Sequence, residues 1–368
     1  MLKISLRIAY RHLIKQKWHT LINIFGLSIA VASSIIIFLY ARFELTYDSY
    51  HENADSIYLV YKQRNTAQGL QEVLDTWPPL LASLENRYSA ITNGVRLTEQ
   101  SERWITAGGT KYKEDVMYAD PSILEIFSFP LDKGSETRAL TGRNSLVLSQ
   151  AMAKKYFQDE DPIGKRITID FTDDYLVTGV LKEIPTNSTF RPDFVVPLVS
   201  LTPPNEVEAI NSSWSRSFLL TFIQLENGFE PKPIQDQFFS MVLSLFGQDG
   251  PNGTSNMKLK LLNLEALHNW QNNSRSTSLV LLAIAVSIIV VACINFMNIT
   301  VARSLERAKE IGVKKTLGSS RTLLSAQFLI ESLVLSFVGV AIGVVIAEFF
   351  LPVFNNVFLL SLELNMFE

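Results

Sequence analysis

The chain of 368 residues has a single cysteine, Cys293, and it lies inside an apolar run. No disulfide can form within the chain, so any water-exposed part must hold itself with a hydrophobic core. Histidine is scarce too: His12, His19, His51 and His268 are scattered without ligand spacing, and no metal site is expected. Motifs of common enzyme chemistry are missing. The one Gly-Lys pair, Gly164-Lys165, is followed by Arg166 and lacks a glycine five residues earlier, so there is no phosphate-cradling G-x-x-x-x-G-K-[ST] loop. G-x-S-x-G and H-E-x-x-H are absent as well. Carboxylates such as Asp159, Glu160, Asp161 and the pair Asp173, Asp174 come in runs, which read as solvated turns. The sequence therefore reads as that of a non-enzyme with no catalytic residues and no cofactor.

Charge is missing in three places. No Lys, Arg, Asp or Glu occurs from Trp18 to Ala41 or from Ser276 to Ala302, and beyond Arg321 no basic residue occurs, with Glu331 and Glu348 the only acids in the long apolar run. Each stretch exceeds the roughly 20 apolar residues that span a bilayer core. Transmembrane helices are placed at 20–41, 278–300 and 323–351. The first is too long for a signal-peptide core and has no small-x-small cleavage site before TYDSYHENAD, so it reads as an uncleaved span.

Charge asymmetry orients the spans. Residues 1–17 hold Lys3, Arg7, Arg11, Lys15 and Lys17 without an acid, and 301–322 holds six basic residues against Glu306 and Glu310. The 42–277 stretch has 22 basic and 30 acidic residues. Short Lys/Arg-rich flanks stay in the cytoplasm, which puts the N-terminus and the 301–322 loop inside and 42–277 outside. Residues 1–19 place basic side chains at four-residue steps, as in an amphipathic helix lying along an anionic membrane surface. Residues 352–368 then begin an external loop.

Within 42–277, Ile57–Tyr61 alternates as a strand should, and ITNGVRLT, RWITAGGTKYKEDVMYAD, NSLVLS, KRITIDF, YLVTGVLKEI, SFLLTFIQLE and MKLKLLNLEAL read as further strands. LLASLENRY, SILEIF, SQAMAKKYF and KPIQDQFFSMVLSLFG read as helices. The spacing is not that of βαβ units, so the fold class is a multi-pass α-helical membrane protein with an inserted α+β domain. A Pro/Asn/Ser cluster at 200–216 marks a subdomain boundary.

In VARSLERAKEIGVKKTLGSSRT, Glu310 and Lys314 stand at i, i+4, and Gly318 is placed to end a helix in a left-handed conformation. A short charged helix between two spans follows. In the third span Gly339, Gly343 and Ala347 give a small-residue face for close helix approach, and Gly26 does so in the first. Glu331, well inside the apolar run, is either paired in a protein interior or held at the headgroups, and Asn295 and Asn298 could hydrogen-bond across helices.

Arg307 to Gly318, R-x-K-E-I-G-V-K-K-x-L-G, followed by Q-F-L-I-E-S at Gln327 to Ser332, resembles the signature of MacB/FtsX-type ABC transporter permeases. YADPSILEIFSFPLDKG and SLVLSQAMAKKYFQDEDPIGKRITI with YLVTGVLKEIPTNS are similar to that family's periplasmic core domain. RIAYRHLIKQKWHTLINIFGL and ACINFMNIT also fit. The resemblance implies a permease of the bacterial inner membrane that passes ATP-driven motion of its helices to a periplasmic domain. It implies a separate ABC ATPase docking on the helix between the second and third spans, at Arg307, Glu310, Gly312, Lys314, Lys315 and Gly318. A second permease copy or second half and a periplasmic adaptor are further partners it allows, with no nucleic acid. Four spans per unit are the family's pattern and three are read here, so an N-terminal half or fragment is expected. Export of antibiotics, peptides or lipids is the first reading. Lipoprotein release and control of cell-wall hydrolases are the alternatives, and a membrane sensor is the reading from a different class.

Overall fold

The computed structural model describes residues 17–66, 69–171, 173–246, 257–306, 312–313, 315–318 and 320–364. The chain forms two compact units, one from Thr46 to Asn272 and one from the segments on either side.

The flanking unit begins with α1 (Lys17–Leu45), which continues past the predicted boundary at residue 41. Arg42 and Glu44 are both good helix formers, so their charge ends the apolar run without ending the helix.

The Thr46–Asn272 unit contains, in chain order, β1 (Ile57–Thr66), β2 (Gly69–Val73), α2 (Leu80–Glu85), β3 (Ile91–Leu97), β4 (Ser101–Ala107), β5 (Thr110–Ala119) and α3 (Ile123–Ile126). It continues with β6 (Leu131–Gly134), β7 (Ser145–Ser149), α4 (Gln150–Phe157), β8 (Arg166–Ile169), β9 (Asp173–Leu181), β10 (Phe194–Pro197) and α5 (Val207–Asn211). It closes with β11 (Leu220–Leu225), α6 (Lys232–Phe246), β12 (Met257–Asn263) and α7 (Leu264–Asn272).

Strand pairing runs β10-β7-β9-β8-β4-β5 and returns, because β10 also pairs in parallel with β5, Phe194 opposite Val116. Six strands thus close on themselves and leave no free edge within the ring. Ile105, Val116, Leu146, Leu148, Ile167 and Val177 form one buried cluster from these strands. From β5 the sheet continues through β3, β11, β1 and β12, all antiparallel. Alternation along β1 splits its side chains between two cores. Ile57 and Leu59 join Phe127, Phe129 and Phe222, whereas Val60 joins Leu80, Leu84, Ile223 and Phe238.

The run MKLKLLNLEAL reads from sequence as one strand, but the strand stops at Asn263 and α7 follows. Asn263 is the reason. Its Oδ1 accepts the backbone N–H of Glu265 at 3.0 Å, capping the new helix, while its Nδ2 donates to the carbonyls of Ala54 and Asp55.

The flanking unit resumes with α8 (Ser274–Glu306) and α9 (Arg321–Phe358). Among the described residues three helices are long and apolar enough to cross a membrane, over Thr20–Leu45, Ser274–Ala302 and Leu324–Phe358. α1 packs against both others. Leu27 faces Gly339 and Val31 faces Gly343, so α1 and α9 run in the same direction. Gly26 lies by Asn295 and Ser34 by Ala285, so α8 runs opposite.

Candidate functional site

Helix α1 ends at Leu45, and the next six residues make a tight turn in which Asp48 takes φ 59°, a left-handed conformation that a short polar side chain tolerates. The side chains of this turn are tied to residues 187–190. The Asp48 N–H donates to the Asn187 carbonyl at 2.8 Å, and Asn187 Nδ2 donates to the Thr46 carbonyl at 2.9 Å. Asp48 Oδ1 accepts the Thr189 N–H at 2.7 Å and its Oδ2 accepts the Thr189 hydroxyl. Tyr50 and Ser188 share a hydrogen bond of 2.9 Å, and the Ser188 hydroxyl also donates to the Phe190 carbonyl.

Behind this clasp His51 is buried against Tyr50, Phe127 and Phe129, with Nε2 3.9 Å from Asp48 Oδ1. Burial lowers its imidazole to about 4, so it is neutral near pH 7. Burial raises the Asp48 carboxyl, and the Thr189 hydroxyl and N–H pull the other way.

A second tie comes from the far end of the unit. The rings of Tyr47 and His268 stack with centroids 3.5 Å apart and planes 7° from parallel. Tyr47 follows closely on α1, and His268 belongs to α7, which ends just before α8 begins. The two places where the chain passes between units therefore meet, inside the Thr46–Asn272 unit, at one aromatic contact beside one buried carboxylate. Farther in, the Arg96 guanidinium grips both oxygens of Asp120 at 2.8 and 3.0 Å and also reaches the Pro78 carbonyl and Asn211 Oδ1. Such a bidentate, multiply shared contact stiffens the body on which the clasp is mounted.

Of the residues singled out from sequence, Arg307, Glu310 and Lys314 lie outside the described residues. Gly312 and Lys315 lie in helical stretches, and Gly318 follows with φ 91°. Gly339 and Gly343 lie against α1: a Cβ on Gly339 would fall 2.8 Å from Leu27 Cδ2, and one on Gly343 would fall 2.8 Å from Val31 Cβ and 2.9 Å from the Ser28 carbonyl oxygen. Ala347 is fully buried, and so, nearly, is Glu331. Asn295 and Asn298 are exposed on α8 and make no side-chain hydrogen bond among the described residues, which differs from the cross-helix bonding read from sequence. Two contacts between helices come from serines that reading passed over: the Ser28 hydroxyl is shared between the Ile24 carbonyl of its own helix at 2.6 Å and the Gly339 carbonyl at 2.9 Å, and the Ser34 hydroxyl donates to the Ala285 carbonyl at 3.1 Å. A hydroxyl on a one-carbon stem reaches a neighbouring backbone only where the helices approach closely, which the glycines permit.

A folded α+β unit inserted after the first of three helices long and apolar enough to cross a membrane defines the class of the chain. The chain belongs to the MacB/FtsX-type ABC transporter permease family: residues 20–238 match the MacB-like periplasmic core domain and residues 282–367 the FtsX-like permease C-terminal. It is similar to the macrolide export ATP-binding/permease protein MacB of Wolinella succinogenes, 22% identical over 350 residues, covering 93% of this chain and 52% of that protein. It is also similar to the uncharacterized ABC transporter permease YknZ of Bacillus subtilis, 27% identical over 207 residues, covering 56% of this chain and 48% of that one. The chain thus spans about half the length of these relatives. Among solved structures, the periplasmic region of MacB from Actinobacillus actinomycetemcomitans aligns with a TM-score of 0.42 at 12% identity, over 60% of this chain and 94% of that one.

Proposed function

We propose that this chain is the permease subunit of an ABC transporter and that it passes ATP-driven movement of its membrane helices to the Thr46–Asn272 unit, which lies in the periplasm. The N-terminus and the 301–322 loop face the cytoplasm, where a separate ABC ATPase docks on the segment containing Arg307, Glu310, Gly312, Lys314, Lys315 and Gly318. The observation that supports this most is the clasp: Asp48 and Tyr47, directly after α1, are bonded to the 187–190 loop and to His268, so displacement of α1 would pull on fixed points of the α+β unit. Export of antibiotics, peptides or lipids is the role favoured, in an assembly with a second permease copy or second half and a periplasmic adaptor.

The test is purification from membranes in mild detergent with mass spectrometry of the companions. An ATPase should accompany the chain, and Glu310→Lys with Lys314→Glu should reduce its recovery tenfold or more without changing membrane insertion. Recovery at the wild-type level would remove the docking role, and no ATPase in either sample would favour a membrane sensor.

A further inference from the structure

The loop that clasps Asp48 has a second side. Its two ends, Lys182 to Ile184 and Arg191 to Asp193, together with Ser149 and Lys154 at α4, line a pocket of about 410 Å³. Three cations stand around it: Lys154, Lys182 and Arg191, all exposed. None of the three makes a side-chain hydrogen bond or ion pair among the described residues.

The nearby cations are disposed differently. Lys155, next to Lys154, reaches Glu114 at 2.5 Å, Lys165 reaches Glu160 at 2.7 Å and Lys133 reaches Asp161 at 3.1 Å. Two carboxylates, Glu183 and Asp193, also line the pocket, so it carries an excess of one positive charge. Burial, reinforced by Glu114 and Asp115, raises the Asp193 carboxyl and disfavours its ionised form. Ser149 already caps α4 by accepting the Met152 N–H, so recognition of an anion falls to the three side-chain cations.

We infer that this pocket is a binding site for a phosphate group, held by Lys154, Lys182 and Arg191, and that its occupancy is linked to the Asp48 clasp. Arginine offers a planar fork to two phosphate oxygens, and the lysines add point charges. Glu183 at the same pocket opposes a second negative charge, so a singly charged phosphate fits, whether a diester or the monoanion of inorganic phosphate. The volume leaves room for the group that such a diester carries. Linkage follows from covalent geometry: the segment from Lys182 to Arg191 holds Asn187, Ser188 and Thr189 between the two cationic ends. A ligand that fixes both ends restrains the hydrogen-bonded middle. The inference goes beyond the permease reading and needs no ATPase.

The experiment uses the full chain in an uncharged detergent, with two probes: inorganic phosphate and dihexanoyl-phosphatidylglycerol, a soluble diester. Binding is read by calorimetry and by hydrogen exchange at the amides of 187–190. The diester should bind and slow exchange there severalfold, and Lys154→Gln or Arg191→Gln, at exposed positions, should weaken binding tenfold or more while leaving the melting temperature unchanged. Binding of the diester alone assigns a lipid headgroup. Equal binding of inorganic phosphate supports the site and assigns a free anion. Binding of neither probe, or unchanged affinity in Lys154→Gln and Arg191→Gln together, overturns the inference. ATPase recovery is measured separately, so failure here leaves that reading standing.

Discussion

Asp48 in the α+β unit and Asn23 in helix α1 are both removed from solvent, at 0% and 3% exposure, yet their surroundings are opposite. Asp48 accepts two hydrogen bonds from Thr189, and its own N–H is taken by Asn187. Neither amide atom of Asn23 has a partner among the described residues, and the hydroxyl of Ser278 in α8 is in the same condition. The helical unit is ordered by closeness instead: Gly339 and Gly343 let the backbones of α9 and α1 approach, and serine hydroxyls bridge to carbonyls across the gap. The difference follows from the solvent. In water, apolar burial collapses the α+β unit and directed hydrogen bonds then fix its loops. Between membrane helices apolar burial gives little drive, because lipid tails are as apolar as leucine, and tight packing has to supply the specificity.

If that contrast holds, the largest effect among these hydrogen-bonding and helix-packing positions comes from removing the carboxylate that the loop is built around. Asp48→Ala strips the Thr189 N–H and hydroxyl of their acceptor and should cost about 3 kcal/mol, read as a lower melting temperature of the α+β unit. Asp48→Asn keeps one acceptor oxygen and should recover part of this. A loss below about 0.5 kcal/mol for Asp48→Ala would show that the clasp does not order the segment after α1.

In the helical unit the matching test is steric, and it separates two glycines one turn apart. At Gly343 an added methyl meets Val31 Cβ and the backbone oxygen of Ser28, whereas at Gly339 its neighbours are all side-chain atoms of Leu27. A leucine side chain can turn aside and a backbone carbonyl cannot. Gly343→Ala should therefore cost about 2 kcal/mol in detergent unfolding, from overpacking. Gly339→Ala should cost less than half of that, since alanine's better helix propensity offsets part of the strain. Equal losses at the two positions would mean that helix closeness is not what orders this unit.

How much of this was readable from the sequence differs by unit as well. The first two spans stand out because absence of charge over more than twenty residues has one physical meaning, the third because its long apolar run is broken only by Glu331 and Glu348, and Gly339, Gly343 and Ala347 mark a face of it by spacing alone. Most strands of the α+β unit were legible by alternation. β10 was not, because Phe194 to Pro197 is buried on both faces and so has no polar residue to alternate with. Nor was the closed ring, which depends on one parallel pairing between β5 and β10, far apart in sequence. The clasp escaped for a related reason. TYDSYH and TNST are ordinary turn sequences, and only the fold brings Asp48 to Thr189. The junction residues were thus hidden where the membrane residues were plain.

The smallest expected effect sharpens the comparison by assigning an acid response to the α+β unit. His51 ionises at about 4 in the folded chain against an ordinary 6.5, because burial disfavours its charged form. Between these values the unfolded chain binds a proton that the folded chain does not, so stability falls as pH drops from 6.5 towards 4. Asp48 acts in the opposite sense. Its carboxyl is raised above the ordinary 3.8, so over the interval between its two values the folded chain binds the extra proton and gains stability as pH falls. The two groups are neighbours and act in opposite directions, so part of the loss from His51 is offset. His51→Gln removes the first contribution and keeps the second, so the melting temperature should decline less between pH 6.5 and 4.5 than in the wild type, or rise. Parallel profiles for the two proteins would place the acid response elsewhere in the chain and leave the clasp as a fixed link whose hold does not change with pH.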